Sequence, residues 1–203
     1  MIIGVCGNIG AGKSTIIEIM EKHLNYVPVY ETVEENPYLE DFYKDMRKWA
    51  FHSQLFFLIK RFDFLKRVDP SKGVILEDRT IEEDVNIFAK NLHDMEYISD
   101  KDWETYLDLF RTFSDHLPKP RGLIYLEASI ETLKEHVRRR GRAFESKISE
   151  DYLERLNILY KTWISKIEIP VFRIDCNSLD FVLREKDRDE ILQKVANFVD
   201  YLE

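Results

Sequence analysis

The 203-residue chain is poor in three residue types, with 2 cysteines, 7 glycines and 6 prolines. Cys6 and Cys176 alone cannot build a disulfide framework, which points to a reducing compartment and a cytoplasmic location. Glycine and proline nowhere cluster into a linker, and there is no internal repeat or low-complexity tract. The chain therefore reads as one domain, 1–203. No apolar run approaches the roughly 20 residues of a membrane span. Met1-Ile2-Ile3-Gly4-Val5-Cys6 lacks the basic start and long apolar stretch of a signal peptide, so no membrane partner is expected. An excess of positive charge is also missing: 30 basic against 38 acidic side chains give a net charge of −8. That balance argues against a nucleic-acid polymer as partner, which needs many Lys and Arg to neutralise phosphates. A local basic cluster can still hold a small anion. What is present is an ordinary globular composition, 44% hydrophobic and 33% charged,.

Short apolar runs at Ile2–Cys6, Val27–Tyr30, Val74–Leu76, Leu123–Leu126 and Val171–Ile174 have the length and residue types of buried strands. Helical periodicity fills the intervals, most extensively from Leu39 to Val68, where Leu39, Phe42, Met46, Ala50, Leu58 and Leu65 fall at helical spacing. The alternation predicts an α/β fold: a five-stranded parallel sheet flanked by helices in three layers. Residues 96–101 read as a turn, with Ser99 or Asp100 capping the next helix. Residues 138–147 interrupt two helical patterns with four arginines around Gly141.

Directly after the first run stands Gly7-Asn8-Ile9-Gly10-Ala11-Gly12-Lys13-Ser14-Thr15, then a helical stretch. This matches G-x-x-x-x-G-K-[ST] in its strand–loop–helix context. Glycines let successive N–H groups curl around phosphate oxygens, and the helix N-terminus adds partial positive charge. Lys13 is placed to reach the outer phosphates and Ser14 to ligate Mg²⁺. The pattern predicts binding of a nucleoside triphosphate.

The other strand ends carry further chemistry, because in a doubly wound sheet they face the ligand crevice. Glu31 ends the second strand and suits a general base for an acceptor hydroxyl. No cation other than Lys22 lies between Lys13 and Glu31, which favours a neutral acceptor over a monophosphate. Asp78 ends the third strand, a position suited to Mg²⁺, and Arg79 beside it can fork onto phosphate oxygens. Arg138, Arg140 and Arg142 form a lid over roughly 138–147, with Gly141 as its hinge. The helix dipole already explains basic residues at 138 and 139; it explains Arg142 less well.

These residues, with Glu31-Thr32-Val33-Glu34-Glu35-Asn36-Pro37-Tyr38, Trp49-Ala50-Phe51, Asp78-Arg79-Thr80, Ile87-Phe88-Ala89-Lys90-Asn91-Leu92 and Arg140-Gly141-Arg142, resemble the deoxyribonucleoside kinases. The similarity is to the bacterial deoxyadenosine/deoxyguanosine/deoxycytidine kinase branch and runs nearly end to end. It implies ATP- and Mg²⁺-dependent phosphorylation of a deoxynucleoside 5′-hydroxyl in nucleotide salvage, by a homodimer. Glu31 then corresponds to the base, and Tyr43 with Glu145 to the pair that binds the 3′-hydroxyl. Gln54 corresponds to the amide reading the base edge. Arg61 and Asp84 match the charged pair of the base pocket, which thymidine-preferring relatives lack. Asp78 matches a metal and phosphate position, and Arg79 the arginine at the 5′-oxygen. Arg140 and Arg142 match lid arginines. Two positions depart from the pattern: His136 stands where relatives carry another lid arginine, with Arg138 or Arg139 as the substitute, and Ser53 replaces a stacking aromatic, a role that passes to Phe88. The wider pocket favours a purine, deoxyadenosine first, with deoxyguanosine or deoxycytidine next. A monophosphate kinase of the thymidylate type and a nucleotide-dependent switch on the same fold are the competing readings.

Overall fold

A computed structural model describes every residue except Glu31 and Thr32, and describes the backbone alone at Glu34, Ala143 and Ser146. Five strands, β1 (Ile2–Gly7), β2 (Val27–Val29), β3 (Ile75–Asp78), β4 (Gly122–Glu127) and β5 (Val171–Asp175), form one sheet in the order β2-β3-β1-β4-β5. Every pairing is parallel. The helices are α1 (Lys13–Leu24), α2 (Leu39–Lys44), α3 (Met46–Leu65), α4 (Ile81–Glu83), α5 (Lys90–Asp94), α6 (Asp100–Ser114), α7 (Ile130–Arg140), α8 (Glu150–Ile164) and α9 (Glu185–Leu202). Residues Asp84–Ala89 make a wider π-turn between α4 and α5.

Alternation along the strands sends side chains into two separate cores, as expected for a sheet covered on both faces. Ile3, Val5, Ile124 and Leu126 pack with Ile16, Ile17 and Met20 of α1 and Val195 and Val199 of α9. Cys6, Leu123 and Tyr125 face the other way, toward Leu58 of α3, Tyr106 of α6 and Leu156 and Tyr160 of α8. Cys6 and Cys176 are both buried and unbonded to each other.

Three expectations change in detail. The second strand stops at Val29, one residue short of the apolar run's end at Tyr30 and two short of the expected strand end at Glu31, while β3 starts one residue late and continues through Asp78. The single helix expected over 39–68 is two helices, because Asp45 leaves helical geometry (φ −146, ψ 85). Its carboxylate accepts the Lys48 N–H at 3.1 Å and starts α3 afresh,. Ser99 caps α6, one of the two predicted caps, by accepting from the Asp102 N–H.

Gly4 is where β1 packs closely against Thr80 and Leu123. A Cβ there would lie 2.5 Å from Thr80 Cγ2 and 2.7 Å from Leu123 Cδ2. With hydrogen in its place, the Asp78-Arg79-Thr80 turn lies flat on β1, and the Arg79 N–H donates to the Val5 carbonyl at 3.1 Å.

Candidate active site

The phosphate-binding loop runs from Gly7 to Gly12. Gly10 and Gly12 take φ of 84° and 96°, values that carry a steric cost for residues with a Cβ,. No side chain caps the start of α1, which leaves its first N–H groups for a ligand anion. Lys13 folds back so that its Nζ donates to the carbonyls of Gly7 (2.9 Å) and Asn8 (3.3 Å). Ser14 Oγ donates to Asp78 Oδ2 at 2.7 Å, so the loop and the end of β3 meet at a hydroxyl and a carboxylate.

Asn8 turns its side chain away from the loop's concave side. Its Nδ2 donates to the Leu153 carbonyl (2.9 Å) and to Asn157 Oδ1 (2.7 Å) on α8, and its Oδ1 accepts the Ile9 N–H. His136 is engaged as well: its Nδ1 lies 2.8 Å from the Gly10 carbonyl oxygen, a contact that needs the Nδ1–H tautomer,.

At the end of β3, Arg79 adopts a left-handed backbone (φ 71), unusual for a residue with a side chain,. Its guanidinium sits over the Phe88 ring, 3.7 Å from the centroid. The ring assigned to stack on a base thus carries the Arg79 cation on one face. Asp84 opens the π-turn and receives Arg61 Nε at 2.7 Å. Arg61 also donates to the carbonyls of Asp78 and Arg79. Both partners of the ion pair are buried. Asp84 lines the cleft that opens onto the phosphate loop, and Arg61 stands behind it. Gln54 is 4% exposed, and among the described residues its Oε1 has no hydrogen-bond partner, which leaves an acceptor able to take a polar ligand,. Ser53 is fully buried and accepts from Asn36 Nδ2.

The lid follows α7. Gly141 ends that helix in the left-handed conformation,. Arg140 and Arg142 both turn inward to Glu145, with contacts of 2.6 Å from Arg140 Nη2 and 3.4 Å from Arg142 Nη1. Tyr43 stacks on Phe144 with centroids 5.7 Å apart. Burial pushes the Tyr43 phenol well above its ordinary range, with Tyr152 and Glu145 adding to the effect, so it stays protonated. Arg138 is exposed at the end of α7, and Arg139 pairs with Glu135. Neither lines the cleft. Lys13, Ser14, Gln54, Asp78, Arg79, Asp84, Phe88, Arg140, Arg142, Glu145 and Tyr43 all line one cleft of about 550 Å³. Glu31 lies outside the described residues.

A triphosphate cradle opening onto a polar pocket with one orphaned amide oxygen describes a phosphotransferase for a small acceptor. The family profile of the deoxynucleoside kinases matches residues 3–200. The chain belongs to the deoxynucleoside kinase family. A deoxyadenosine/deoxycytidine kinase of Bacillus subtilis is 36% identical over 201 residues, covering 98% of this chain and 93% of the relative. The deoxyguanosine kinase of the same organism is 33% identical and covers 97% of each. Among solved structures, a deoxyadenosine kinase from M. mycoides with dCMP and a flexible dCDP bound superposes with a TM-score of 0.84. It is 33% identical, with all of both chains covered. The five-stranded parallel α/β fold is that of these kinases. This kinase is therefore a phosphotransferase that phosphorylates deoxyribonucleosides, using a nucleotide as phosphate donor. The monophosphate-kinase and switch readings are set aside. None of its helices, among the described residues, is long and apolar enough to cross a membrane.

Several residues that shape this kinase site were not singled out from the sequence. Asn157 and Tyr160 of α8 and Glu83 of α4 hold the loops rather than project from them, while Phe144 of the lid lines the cleft beside Tyr43. Only Glu83 had a local signal, the Thr80-x-x-Glu83 capping-box spacing,.

Proposed function

We propose that ATP with Mg²⁺ is the donor and that a purine deoxynucleoside, deoxyadenosine first, is the preferred acceptor, with Glu31 taking the 5′-hydroxyl proton. The observation carrying this reading is that one cleft is lined at once by Lys13 and Ser14 of the phosphate loop and by Gln54 and Asp84 of the base pocket.

The Ser14 hydroxyl and the Asp78 carboxylate supply only oxygen donors, the chemistry a small hard cation prefers,. When bound, Mg²⁺ would neutralise charge on the donor phosphates. Lys13 and the start of α1 hold the phosphate tail, and Arg79 offers a permanent cation at the acceptor end. Tyr43 and Glu145 receive the 3′-hydroxyl, the carboxylate accepting and the neutral phenol completing the pair. Arg140 and Arg142 move from Glu145 toward the charge that spreads over the transferred phosphoryl oxygens. Arg138 keeps its assignment as a donor contact only if closure carries the end of α7 inward. The exposed Ile59 and Phe64 of α3 support pairing of two copies into a homodimer in a reducing cytoplasm.

A coupled ADP-release assay across the four deoxynucleosides and their ribose counterparts tests the acceptor. Deoxyadenosine should give the highest kcat/KM, and strong turnover of ribonucleosides would contradict the roles of Tyr43 and Glu145. Glu31→Gln should lower turnover by about 10²–10⁴ with the fold intact; unchanged turnover removes Glu31 from the mechanism.

A further inference from the structure

Glu83 is fully buried, and its two carboxylate oxygens serve different parts of the molecule. Oε2 accepts the Thr80 N–H at 2.8 Å, while the Thr80 hydroxyl accepts the Glu83 N–H at 3.2 Å. That reciprocal pair caps α4 and needs only one oxygen. Oε1 reaches across to the phosphate loop, where it accepts the Gly7 N–H at 3.3 Å and the Tyr160 O–H at 2.7 Å. Tyr160, also fully buried, comes from α8, and its hydroxyl oxygen lies 2.9 Å from the Gly7 carbonyl oxygen. Lys13 Nζ donates to that same carbonyl. Both sides of Gly7 are thus held, its N–H by Glu83 and its carbonyl by Lys13, while the single Tyr160 O–H proton goes to Glu83,.

A helix of three residues does not require a fully buried carboxylate for its cap; exposed side chains serve that purpose at α3 and α6, where Asp45 and Ser99 do so. The second oxygen is what sets Glu83 apart. It joins the entry of the donor loop to Thr80, the residue after Arg79, and so ties the donor side to the acceptor side through one rigid group.

We infer that Glu83, buttressed by Tyr160, is a positioning residue that fixes the distance between the phosphate loop at Gly7 and the Asp78-Arg79-Thr80 turn. Neither side chain lines the cleft. Their effect is on alignment: phosphoryl transfer depends on in-line placement, and a displacement near 1 Å costs on the order of 10²-fold in rate. The inference rests on reading the Gly7–Ser14 loop as the donor site.

Glu83→Gln keeps the shape but replaces one acceptor oxygen with an NH₂ that cannot accept, so Gly7 or Thr80 loses its partner. Tyr160→Phe removes only the hydroxyl. The expected result is a kcat per folded active site lowered about 10–100-fold in Glu83→Gln and a few-fold in Tyr160→Phe. The Kd values of ATP and of the deoxynucleoside, each measured alone by calorimetry, should stay within about threefold of wild type. The double variant should be no slower than Glu83→Gln by itself, because both changes break one network. A structural role alone would lower the folded fraction or the melting temperature and leave kcat per active site untouched; that outcome overturns the inference. If Glu83→Gln is insoluble, Tyr160→Phe decides, and a wild-type kcat there overturns it. Lys13→Ala, run alongside, separates the two layers. Undiminished ATP binding in Lys13→Ala removes the donor-site reading and this inference with it. Lost ATP binding in Lys13→Ala with normal kcat in Glu83→Gln overturns the inference alone.

Discussion

Arg140 holds Glu145 with both Nε, at 2.9 Å, and Nη2, at 2.6 Å. The lid's cation and the carboxylate assigned to the sugar are therefore partners before either substrate arrives. Under the roles proposed for them, each substrate would break part of this contact, which would link the two ends of the site.

Glu145→Gln tests the sugar end. A hydrogen bond to a charged group is worth about 1.5–3 kcal/mol, or roughly 10–100-fold. Wild-type enzyme should favour 2′-deoxyadenosine over 2′,3′-dideoxyadenosine by that factor in kcat/KM, and Glu145→Gln should erase most of the preference. An equal preference in both proteins would remove Glu145 from 3′-hydroxyl recognition.

Ser14 and Asp78 meet at 2.7 Å. Loss of either oxygen should weaken use of the cation about 10–100-fold, the range seen when a metal site loses a supporting group. Titrating activity against Mg²⁺ should show midpoints shifted upward in Ser14→Ala and Asp78→Asn. A lowered plateau with an unmoved midpoint would assign Asp78 to phosphate alignment instead.

The buried Arg61–Asp84 pair makes a stability prediction. Removing Asp84 takes from the buried Arg61 guanidinium the carboxylate it holds at 2.7 Å, a loss of about 3 kcal/mol,. For a chain of this size the melting temperature should fall by roughly 6–12 °C in Asp84→Ala. Thermal unfolding followed by circular dichroism measures it, and a shift under about 2 °C would mean water reaches Arg61.

Glu77 gives a pH signature. It is 2% exposed on β3, and among the described residues its Oε1 has no hydrogen-bond partner. Burial pushes its carboxyl well above the usual value of 4.5; Arg61 opposes the shift, and Glu82, Glu83 and Asp84 add to it. The folded protein keeps a proton that the unfolded chain releases. This group's contribution is therefore fully present below the unfolded pKa and lost as pH rises toward the folded one, at about 1.4 kcal/mol per pH unit. Urea unfolding of Glu77→Gln and wild type from pH 5 to 8 should show the variant gaining relative stability with pH. Parallel curves would show that Glu77 ionises without cost.

The parts legible in the sequence were those governed by local chemistry: the glycine-rich loop, strands bounded by turns, and acids or arginines at strand ends. What escaped depended on contacts between distant segments. The break at Asp45 hid within an unbroken apolar period, because one capping carboxylate outweighs a continuous stripe. Glu83 sits in the run Glu82-Glu83-Asp84, which resembles a solvated face until α8 is placed against it. Asn8 occupies a variable position of the loop motif, and the motif says nothing about which way its side chain turns. His136, noted as a missing arginine, touches the loop's backbone instead.

The π-turn over Asp84–Ala89 constrains the reading frame of its helix more than the letters in it. One residue removed there would restore ordinary winding and swing Asp84 about 100° around the axis, away from Arg61. A substitution at the outward-facing Asn86 should pass unnoticed, while a single-residue deletion beside it should dismantle the base pocket. Length, in this one stretch, matters to the fold as much as any side chain it carries.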